Sequence, residues 1–554
     1  MVVPWRLLTP APLLLCLPLL AALPLAGCDV LPTSVQNDAP ALVGQDVRLT
    51  ILHTSDIHSR LIEYNFDPSF TDNGLGLGDD MGPYGGMAEI STILKRERKK
   101  AGRILHLDSG DCFQGAIIFN EFAGEAEMRL QSQVGLDAAV VANHEFDKGA
   151  ANLSEQYGAW GNFPLLAANY DLKDSTLPYA NQLEDQILPS MLYDLDGLRV
   201  GVIGLGNLSS LNSIYDESNS MGIRVIEAPE AVQGEAAKLK AQGADLIVIV
   251  SHMGVNEDIE LAKALPEIDV IMGGHNHVAL NPPLVVENVQ TGKLIPIVHS
   301  GAFAKFVGRL DLVVRDGEVL SHSYQVFPVD NTVTPDPEIV DILEEYQEVL
   351  DQDYNVDQVL GYATEQLNRY GSVGGDSMLG NFTAEAMRFY PGVETEMALT
   401  NTLGIRSDIP AGDITLDALY NAMPFDNSIT TMFLSGREVQ ELLDYVSYRS
   451  GERGCNSQAQ VAGIRFTMDC LNAVAEDILI NGVPLDLDGT YELATNDYIA
   501  HGGSGFEVLE RNTTQVDTGI SIRDAVKTAI LRYYSLPQAD ANVCIEDGRI
   551  TPVY

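Results

Sequence analysis

Five apolar, strand-like runs in the first half of the chain each lead into a histidine, an aspartate or an asparagine. The first run, residues 47–52, leads into Asp56 and His58. Residues two apart in a strand point to the same side, so this carboxylate and this imidazole can face one ion. The other four runs lead into Gly110-Asp111, Asn143-His144, Ser251-His252 and Gly274-His275-Asn276-His277. The repeated pattern predicts strands whose ends bring metal-binding side chains to one site.

These runs belong to a longer alternation of strand-like and helical segments. Segments 87–100 and 228–242 have the composition and apolar spacing of helices. Alternation of this kind predicts a layered α/β domain, which we expect to close near Asp330. The predicted strands are residues 103–107, 138–141, 164–168, 199–205, 246–250, 270–272 and 296–299.

The candidate metal ligands are two aspartates, one asparagine and four histidines. This mixture suits Mn, Fe, Zn, Co or Ni better than Mg alone. Seven ligands are too many for one tetrahedral zinc, and they fit two divalent ions that share a carboxylate. Two adjacent ions can clamp a phosphoryl group and lower the pKa of a bound water towards about 7. The seven candidates are Asp56, His58, Asp111, Asn143, His252, His275 and His277.

His144 and Asp147 are the candidate catalytic pair. Asp147 lies three residues after His144 and can accept its imidazole N–H, which would fix the tautomer. A histidine oriented in this way can protonate a leaving oxygen, so we expect His144 to do so.

The overall charge restricts the partners. The 554 residues include 78 acidic and 33 basic side chains, a formal net charge of −45. Such a surface argues against nucleic acid as a partner. An anionic substrate would therefore be attracted by local cations, such as bound metal ions and a few arginines.

The N-terminus resembles the signal of a bacterial lipoprotein. Arg6 precedes an apolar run broken by prolines, and the run ends in Leu25-Ala26-Gly27-Cys28. We expect residues 1–27 to be a signal peptide and Cys28 to carry a lipid that anchors the protein to a membrane. Residues 28–46 then form a flexible tether. The predicted location is periplasmic or at the cell surface, and a plain signal peptide is the alternative.

The second half of the chain has its own apolar periodicity. We place the first domain at residues 47–330, a linker helix at 331–358 and a separate α+β domain at 359–554. The helix could equally be the first element of the second domain. Cys455 and Cys470 can pair in an exported protein, whereas Cys112 is expected to be a small buried residue, and Cys544 has no evident partner.

In their order along the chain, the five metal-type blocks resemble those of the calcineurin-like metallophosphoesterases. More narrowly, the chain resembles the bacterial 5'-nucleotidase family, which includes UDP-sugar hydrolases and 2',3'-cyclic phosphodiesterases. The resemblance implies a four-layer α/β/β/α sandwich, with His144 and Asp147 as the catalytic pair. It also implies one ion held by Asp56, His58, Asp111 and His277, and a second held by Asp111, Asn143, His252 and His275.

The second domain strengthens the narrower resemblance. Residues 379–388 resemble the family's opening helix, and 400–406, 423–425 and 496–506 resemble its substrate segments. The likeness implies that Asn401 and Arg406 contact phosphate and sugar, and that Phe425 and Tyr498 hold a base between their rings. The alternative is that both rings are core residues. The family's second domain also rotates to carry substrate to the metals.

Two positions depart from the family pattern. Gly375 stands where many members have an arginine, and Ser504 stands where they have an aspartate that holds the ribose. Arg369 could replace the missing guanidinium. We therefore expect a monomeric, lipid-anchored hydrolase of small phosphate esters, nucleotides above all. The alternatives are a 2',3'-cyclic phosphodiesterase, a thiosulfohydrolase, or a surface lipoprotein that binds nucleosides without catalysis.

Overall fold

The computed structural model describes residues 42–66, 68–78, 80–173, 175–176, 179–207, 223–534 and 545–554. The predicted signal peptide, Cys28, most of the predicted tether and Cys544 lie outside these residues. None of the helices within the described ranges combines the length and apolar character that a bilayer-spanning segment needs.

The first half of the described chain alternates strands and helices. The strands are β1 (Val47–Thr54), β2 (Ile104–Asp108), β3 (Ala138–Val140), β4 (Leu165–Leu166), β5 (Tyr170–Asp171), β6 (Ile187–Leu188), β7 (Ser190–Leu195), β8 (Leu198–Leu205), β9 (Arg224–Val225), β10 (Leu246–Ser251), β11 (Val270–Gly273), β12 (Leu284–Glu287), β13 (Leu294–His299), β14 (Phe306–Arg315) and β15 (Glu318–Pro328). The helices are α1 (Phe70–Gly74), α2 (Met87–Arg98), α3 (Ile117–Phe122), α4 (Glu125–Gln133), α5 (Gly149–Trp160), α6 (Ala180–Gln186), α7 (Ala228–Ala241), α8 (Val255–Ala264) and α9 (Pro337–Asp353).

Two sheets form the centre of this domain. One has the strand order β15-β14-β1-β2-β3-β4-β6, and the other β12-β13-β11-β10-β8-β7. Their facing sides share one core, to which Leu49 and Leu105 contribute from the first sheet and Val200 and Val248 from the second. The outer side of the first sheet packs against α2 and α9, and that of the second against α7 and α8. The domain is thus the predicted four-layer α/β/β/α sandwich.

The predicted strand at residues 164–168 is shorter in the structure. Only Leu165–Leu166 pairs as a strand. Beyond it the backbone N–H of Ala168 donates to the carbonyl of Gly204, which belongs to the second sheet. The chain therefore leaves the first sheet at this point, an interaction that a local apolar pattern cannot predict.

The second half of the chain forms a separate α+β domain. Its strands are β16 (Val359–Ala363), β17 (Met397–Asn401), β18 (Gly412–Thr415), β19 (Ser428–Ser435), β20 (Ala459–Ala462), β21 (Ile464–Asp469), β22 (Val474–Ile480), β23 (Val483–Pro484), β24 (Thr490–Asn496), β25 (Val516–Ser521) and β26 (Ile550–Val553). Its helices are α10 (Met378–Arg388), α11 (Leu416–Ala422), α12 (Gly436–Gly451), α13 (Asp497–Ala500), α14 (Glu507–Glu510) and α15 (Ile522–Tyr533). A five-stranded sheet, β20-β17-β24-β19-β25, and a four-stranded sheet, β23-β22-β21-β26, organise its cores. Cys455 and Cys470 form a disulfide, as their context suggested, and Cys112 is a buried free cysteine.

Helix α9 lies between the two domains along the chain and packs on the first. Ile339, Leu343, Tyr346 and Leu350 repeat at helical spacing and are buried against α2, α3 and α4. Asp336 caps the helix by accepting the backbone N–H of Glu338. The acidic exposed face and the apolar stripe together explain why this segment is helical.

Candidate metal centre and substrate site

The candidate metal ligands lie at the carboxyl ends of parallel strands. Strands β1, β2 and β3 run parallel in the first sheet, and β10 and β11 run parallel in the second. Parallel strands end at the same edge, so the loops that follow them meet there. Two groups result, each with its ligand atoms within 4.8 Å of one another: Asp56, His58 and His277, and Asp111, His252 and His275.

Asp111 lies between the two groups. Its Oδ2 is 2.8 Å from His252 Nε2 and 3.9 Å from His58 Nε2. Asp56 also faces both groups, because its Oδ1 is 3.5 Å from His277 Nε2 and 3.9 Å from His252 Nε2. A carboxylate between two sets of imidazoles is suited to bridge two cations.

Five of the seven ligands have left-handed backbone conformations. The φ angles are 50° at Asp56, 51° at His58, 55° at Asp111, 75° at His275 and 58° at His277. Such conformations are costly for residues with a Cβ, and they cluster where a structure holds functional groups in place. The tight turn before Asp111 needs Gly110, because a Cβ there would lie 2.8 Å from the carbonyl oxygen of Val140.

The donor set fits two divalent cations. His58 Nδ1 lies 3.0 Å from the Gln114 carbonyl and His252 Nδ1 lies 2.7 Å from the Ser109 carbonyl. A carbonyl only accepts, so both Nδ1 atoms carry a proton, and Nε2 is the ring atom that each histidine turns to the site. The Nε2 atoms of His58 and His277 are 3.0 Å apart. Asn143 Oδ1 is buried and accepts no hydrogen bond from the described residues, as expected of an oxygen reserved for a cation.

The pKa values of three of the four candidate histidine ligands agree with this role. Burial opposes protonation of the fourth, His252, but Asp111 and Asp56 outweigh it and raise its pKa to about 10, so a cation bound there would displace a proton from its Nε2. Burial and the neighbouring His252 lower the pKa of His275 to about 3. Burial is also the main reason that the pKa values of His58 and His277 lie well below the usual range. Burial opposes ionisation of Asp111, but His252 outweighs it and holds the pKa of that carboxyl well below its usual range. Three neutral imidazoles and an ionised carboxylate are the forms that bind metal ions.

His144 and Asp147 form a hydrogen-bonded pair beside these ligands. His144 Nδ1 donates to Asp147 Oδ2 over 2.8 Å, and the backbone N–H of His144 donates to Asp111 Oδ1 over 2.9 Å. Burial opposes protonation of the imidazole, but Asp147 and then Asp111 outweigh it and raise the pKa of His144. Because Asp147 fixes the tautomer of His144, the Nε2 atom of that ring is available to a ligand.

The second domain reaches into this site. Arg406 Nη2 lies 3.3 Å from His58 Nε2. The Phe425 ring lies 6.1 Å from the His144 ring, and the Arg406 guanidinium carbon lies 5.9 Å from the centre of the Phe425 ring. A cation and an aromatic ring of one domain thus stand next to the candidate metal ligands and catalytic histidine of the other.

Comparison with known proteins assigns both domains to described families. The family model of the calcineurin-like phosphoesterases matches residues 49–279. The model of the 5'-nucleotidase C-terminal domain matches residues 359–511. The chain thus joins a calcineurin-like phosphoesterase domain to a 5'-nucleotidase C-terminal domain. Its chemistry is accordingly metal-dependent hydrolysis of phosphoesters.

Individual relatives cover most of the chain. A 5'-nucleotidase of Vibrio cholerae is 28% identical over 580 residues, 95% of this chain and 96% of that protein. A trifunctional nucleotide phosphoesterase of Bacillus subtilis is 28% identical over 514 residues, 85% of this chain, but this chain spans only 33% of that protein. The crystal structure of a 5'-nucleotidase precursor from Thermus thermophilus matches with a TM-score of 0.80 at 28% identity, covering 92% of this chain and 99% of that one.

A calcineurin-like phosphoesterase of this kind uses two divalent metal ions, and the two ligand groups described above fit them. When bound, such ions supply an activated water and offset the negative charge of the phosphoryl group.

The other two candidate substrate residues, Asn401 and Tyr498, also belong to the second domain. Asn401 is buried, and its Oδ1 accepts from Asn496 Nδ2 over 2.7 Å. The Tyr498 hydroxyl lies 3.0 Å from Ser504 Oγ. Asn401 and Ser504 line the same cleft. The structure thus brings Phe425 to His144 and Tyr498 to Ser504.

Close packing explains why position 375 is a glycine. A Cβ there would lie 2.2 Å from the carbonyl oxygen of Ile550 in β26, so no larger side chain fits this backbone. Arg369 approaches the site from the neighbouring loop instead. Its Nη1 donates to the carbonyl of Arg406.

Two residues of the site were missed by sequence reasoning. Buried Glu145 accepts the backbone N–H groups of Asp111, Cys112 and Ala142, so it fixes two ligand loops together. Buried Arg60 donates to Asn421 Oδ1 of the second domain. Glu145 could have been found inside the Asn143–Asp147 block, whereas no local signal distinguished Arg60.

Proposed function

We propose that this protein removes phosphate from nucleotides outside the cytoplasm, with AMP-like 5'-nucleotides and UDP-sugars as the substrate class. The observation that carries the proposal is the 3.3 Å approach of Arg406 to His58. A guanidinium recognises phosphate oxygens by paired hydrogen bonds, and here it stands at the candidate metal ligands. The Phe425 ring beside His144 adds a surface on which a base can stack.

We assign the metal ligands as the resemblance implies. The two compact ligand groups and the buried, unpartnered Asn143 Oδ1 support this assignment. One ion would be held by Asp56, His58, Asp111 and His277, and the other by Asp111, Asn143, His252 and His275.

In the proposed reaction His144 acts on the leaving group. Asp147 holds Nδ1–H of His144, so Nε2 of the protonated ring can give its proton to the departing ester oxygen. Arg406 binds phosphoryl oxygens, and Asn401, Phe425 and Tyr498 bind the nucleoside. Because the raised pKa of His144 keeps more of this ring protonated, it is suited to act as the acid.

The architecture of the full chain is part of the proposal. We assign residues 1–27 to a signal peptide, 28–46 to a tether, 47–330 to the metallophosphoesterase domain, 331–358 to the linker and 359–554 to the substrate domain. Cys28 would carry the lipid, and the enzyme would be a monomer. Mass spectrometry of the mature N-terminus tests the anchor, and Cys28→Ser should release the protein from membranes.

The experiment that tests the activity is phosphate release by the full chain, supplied with Mn or Co, from AMP, ATP, UDP-glucose, 2',3'-cyclic AMP and an aryl phosphodiester. Fast release from AMP that is lost with a chelator and in Asp111→Asn supports a 5'-nucleotidase. Turnover of the cyclic or aryl ester alone discards the 5'-nucleotide assignment. An enzyme that turns over none of them but cleaves a thiosulfate ester is a thiosulfohydrolase, and a protein that binds adenosine without turnover is a binding module.

A further inference from the structure

The second domain contains an open cleft whose charge is opposite to that of the protein as a whole. Its empty volume is about 280 Å³, which includes space open to solvent. Among the residues that the structure describes, two arginines and no carboxylate line it, in a chain with 78 acidic and only 33 basic residues. The lining residues are Asn401, Leu403, Arg449, Arg453, Gln458, Ser504 and Phe506.

Of the two arginines, Arg453 has the guanidinium that is free to bind a ligand. Arg449 Nη1 is paired with Glu452 Oε2 at 2.8 Å. The Arg453 guanidinium makes no hydrogen bond or ion pair with the residues described. The Arg453 side chain is exposed to solvent, and desolvation of its guanidinium and then the charge of Arg449 lower its pKa. An anion in the cleft would relieve that repulsion and would satisfy the guanidinium donors.

The lining of the cleft also includes the neutral hydroxyl of Ser504. Ser504 has a left-handed backbone, with φ at 57°, and its carbonyl accepts from the Tyr445 hydroxyl over 2.7 Å. Its Oγ lies 3.0 Å from the Tyr498 hydroxyl. A serine at this position adds no negative charge to the cleft, whereas a carboxylate would add one.

The cleft adjoins the metal centre. Asn401 and Leu403 line the cleft, and the segment that contains them continues to Arg406, whose Nη2 lies 3.3 Å from His58 Nε2. One ligand can therefore place one group near Arg406 and His58 and another near Arg453.

We propose that this cleft binds a second phosphate of the substrate, carried on the sugar of a nucleotide whose 5'-ester lies at the metal centre. The preferred substrates are thus nucleoside bisphosphates, and Arg453 is the residue that selects them. This inference rests on the function proposed above and deepens it. Phosphate is the expected group because the guanidinium matches two of its oxygens at once.

The first test compares kcat/KM of the metal-loaded full chain for adenosine 3',5'-bisphosphate, adenosine 2',5'-bisphosphate and AMP. We expect a bisphosphate to be preferred by tenfold or more, and Arg453→Gln to reduce that preference to about twofold. Ser504→Asp should do the same by adding a negative charge. Arg437→Gln is the matched control, because Arg437 lies at the other end of α12 and pairs with Asp488. The inference is overturned if the wild-type enzyme favours AMP, or if Arg453→Gln retains the preference for a bisphosphate. In either case, turnover of AMP would still support the proposed function.

The second test does not require hydrolysis. Adenosine 3'-phosphate, adenosine 2'-phosphate and adenosine are titrated calorimetrically into the chelator-treated full chain. A nucleoside phosphate should bind at least tenfold more tightly than adenosine, the difference should vanish in Arg453→Gln, and it should shrink as salt rises. Equal affinities would overturn the second phosphate site. If the protein binds the nucleoside phosphates selectively but hydrolyses no nucleotide, the proposed hydrolysis would be wrong and the second phosphate site would stand.

Discussion

Arg406 Nη2 lies 3.3 Å from His58 Nε2, although the two residues are 348 positions apart in the chain. The contact joins the substrate domain to a candidate metal ligand. Its guanidinium also lies 5.9 Å from the Phe425 ring, so the cation and the ring belong to one surface. The candidate phosphate-binding arginine and a candidate metal ligand thus meet at a single point between the domains.

Replacing Arg406 should weaken substrate binding and catalysis together. Arg406→Gln removes the charged hydrogen bonds to phosphate, which corresponds to a roughly 10- to 150-fold loss in kcat/KM for AMP. Arg406→Lys should recover only part of it, because an ammonium lacks the planar fork. Steady-state kinetics measure the effect, with Arg437→Gln as the exposed control. An unchanged kcat/KM in Arg406→Gln would remove Arg406 from the site.

His144 and Asp147 should behave as one catalytic unit. His144→Asn should lower kcat by about 10²–10⁴-fold, because no proton reaches the leaving oxygen. Asp147→Asn should lower kcat by about 10- to 100-fold, because the His144 ring is no longer held in its orientation. The double variant should be no slower than His144→Asn. Metal content, measured in the same samples, should be unchanged, and additive losses would show that Asp147 does not act through His144.

Locking the two domains together should slow turnover. Asn120 Nδ2 lies 3.0 Å from Asp426 Oδ2 of the second domain, so cysteines at these positions can be bridged by a short thiol reagent. If substrate enters and product leaves by domain opening, the bridged enzyme should lose tenfold or more of its kcat. Each single-cysteine variant treated with the same reagent is the control. Full turnover by the bridged enzyme would mean that rotation is unnecessary.

Asp336 should stabilise the fold in a pH-dependent way. It caps α9, and its Oδ2 lies 2.6 Å from Lys95 Nζ. Burial opposes its ionisation, but the hydrogen bonds from Lys95 and Ser91 outweigh burial and lower its pKa. A lowered folded-state pKa gives stability that is present above the unfolded value, about 3.9, and is lost as pH falls through the folded value. Asp336→Ala should cost about 1 kcal/mol in urea unfolding at pH 7, from the lost cap.

The control for this prediction is the pH profile itself. The difference in unfolding free energy between wild type and Asp336→Ala should shrink below pH 4. A difference that stays constant down to pH 2 would show that the carboxylate charge is not involved.

The disulfide between Cys455 and Cys470 should stabilise the second domain. The bridged cysteines are 15 residues apart, and closing a loop of that length is worth about 3 kcal/mol on the chain-entropy estimate. The double variant Cys455→Ala/Cys470→Ala should lose about this much in denaturant unfolding. A reductant should destabilise the wild type and leave the double variant unaffected. Equal stability of the two proteins would mean that the bridge contributes nothing.

Local sequence patterns predict much of the first domain. The runs before Asp56, Asp111 and His252 are apolar because their strands are buried, and each ends where the chain turns toward the shared edge of the sheets. The two-sheet sandwich followed from the family resemblance. The strand at 164–168 was predicted too long, because its end bonds the second sheet.

Local sequence patterns predict less of the candidate substrate site in the second domain. Gly375 looked like the loss of an arginine, and the structure adds that the backbone of Ile550 fills the space of a Cβ there. Arg449 and Arg453 were ordinary residues in the sequence, and only the folded chain shows that they line a cleft with Ser504.

The sequence by itself determined which side chains this protein brings to its candidate metal centre. A strand and the loop after it are adjacent in the sequence, so the residue types in each such segment are sufficient to predict metal ligands. Only the tertiary structure decided that Arg406 reaches His58 and that Arg453 and Ser504 line one cleft. These relationships join residues from tens to hundreds of positions apart. They depend on how sheets and domains pack, which local apolar patterns do not encode.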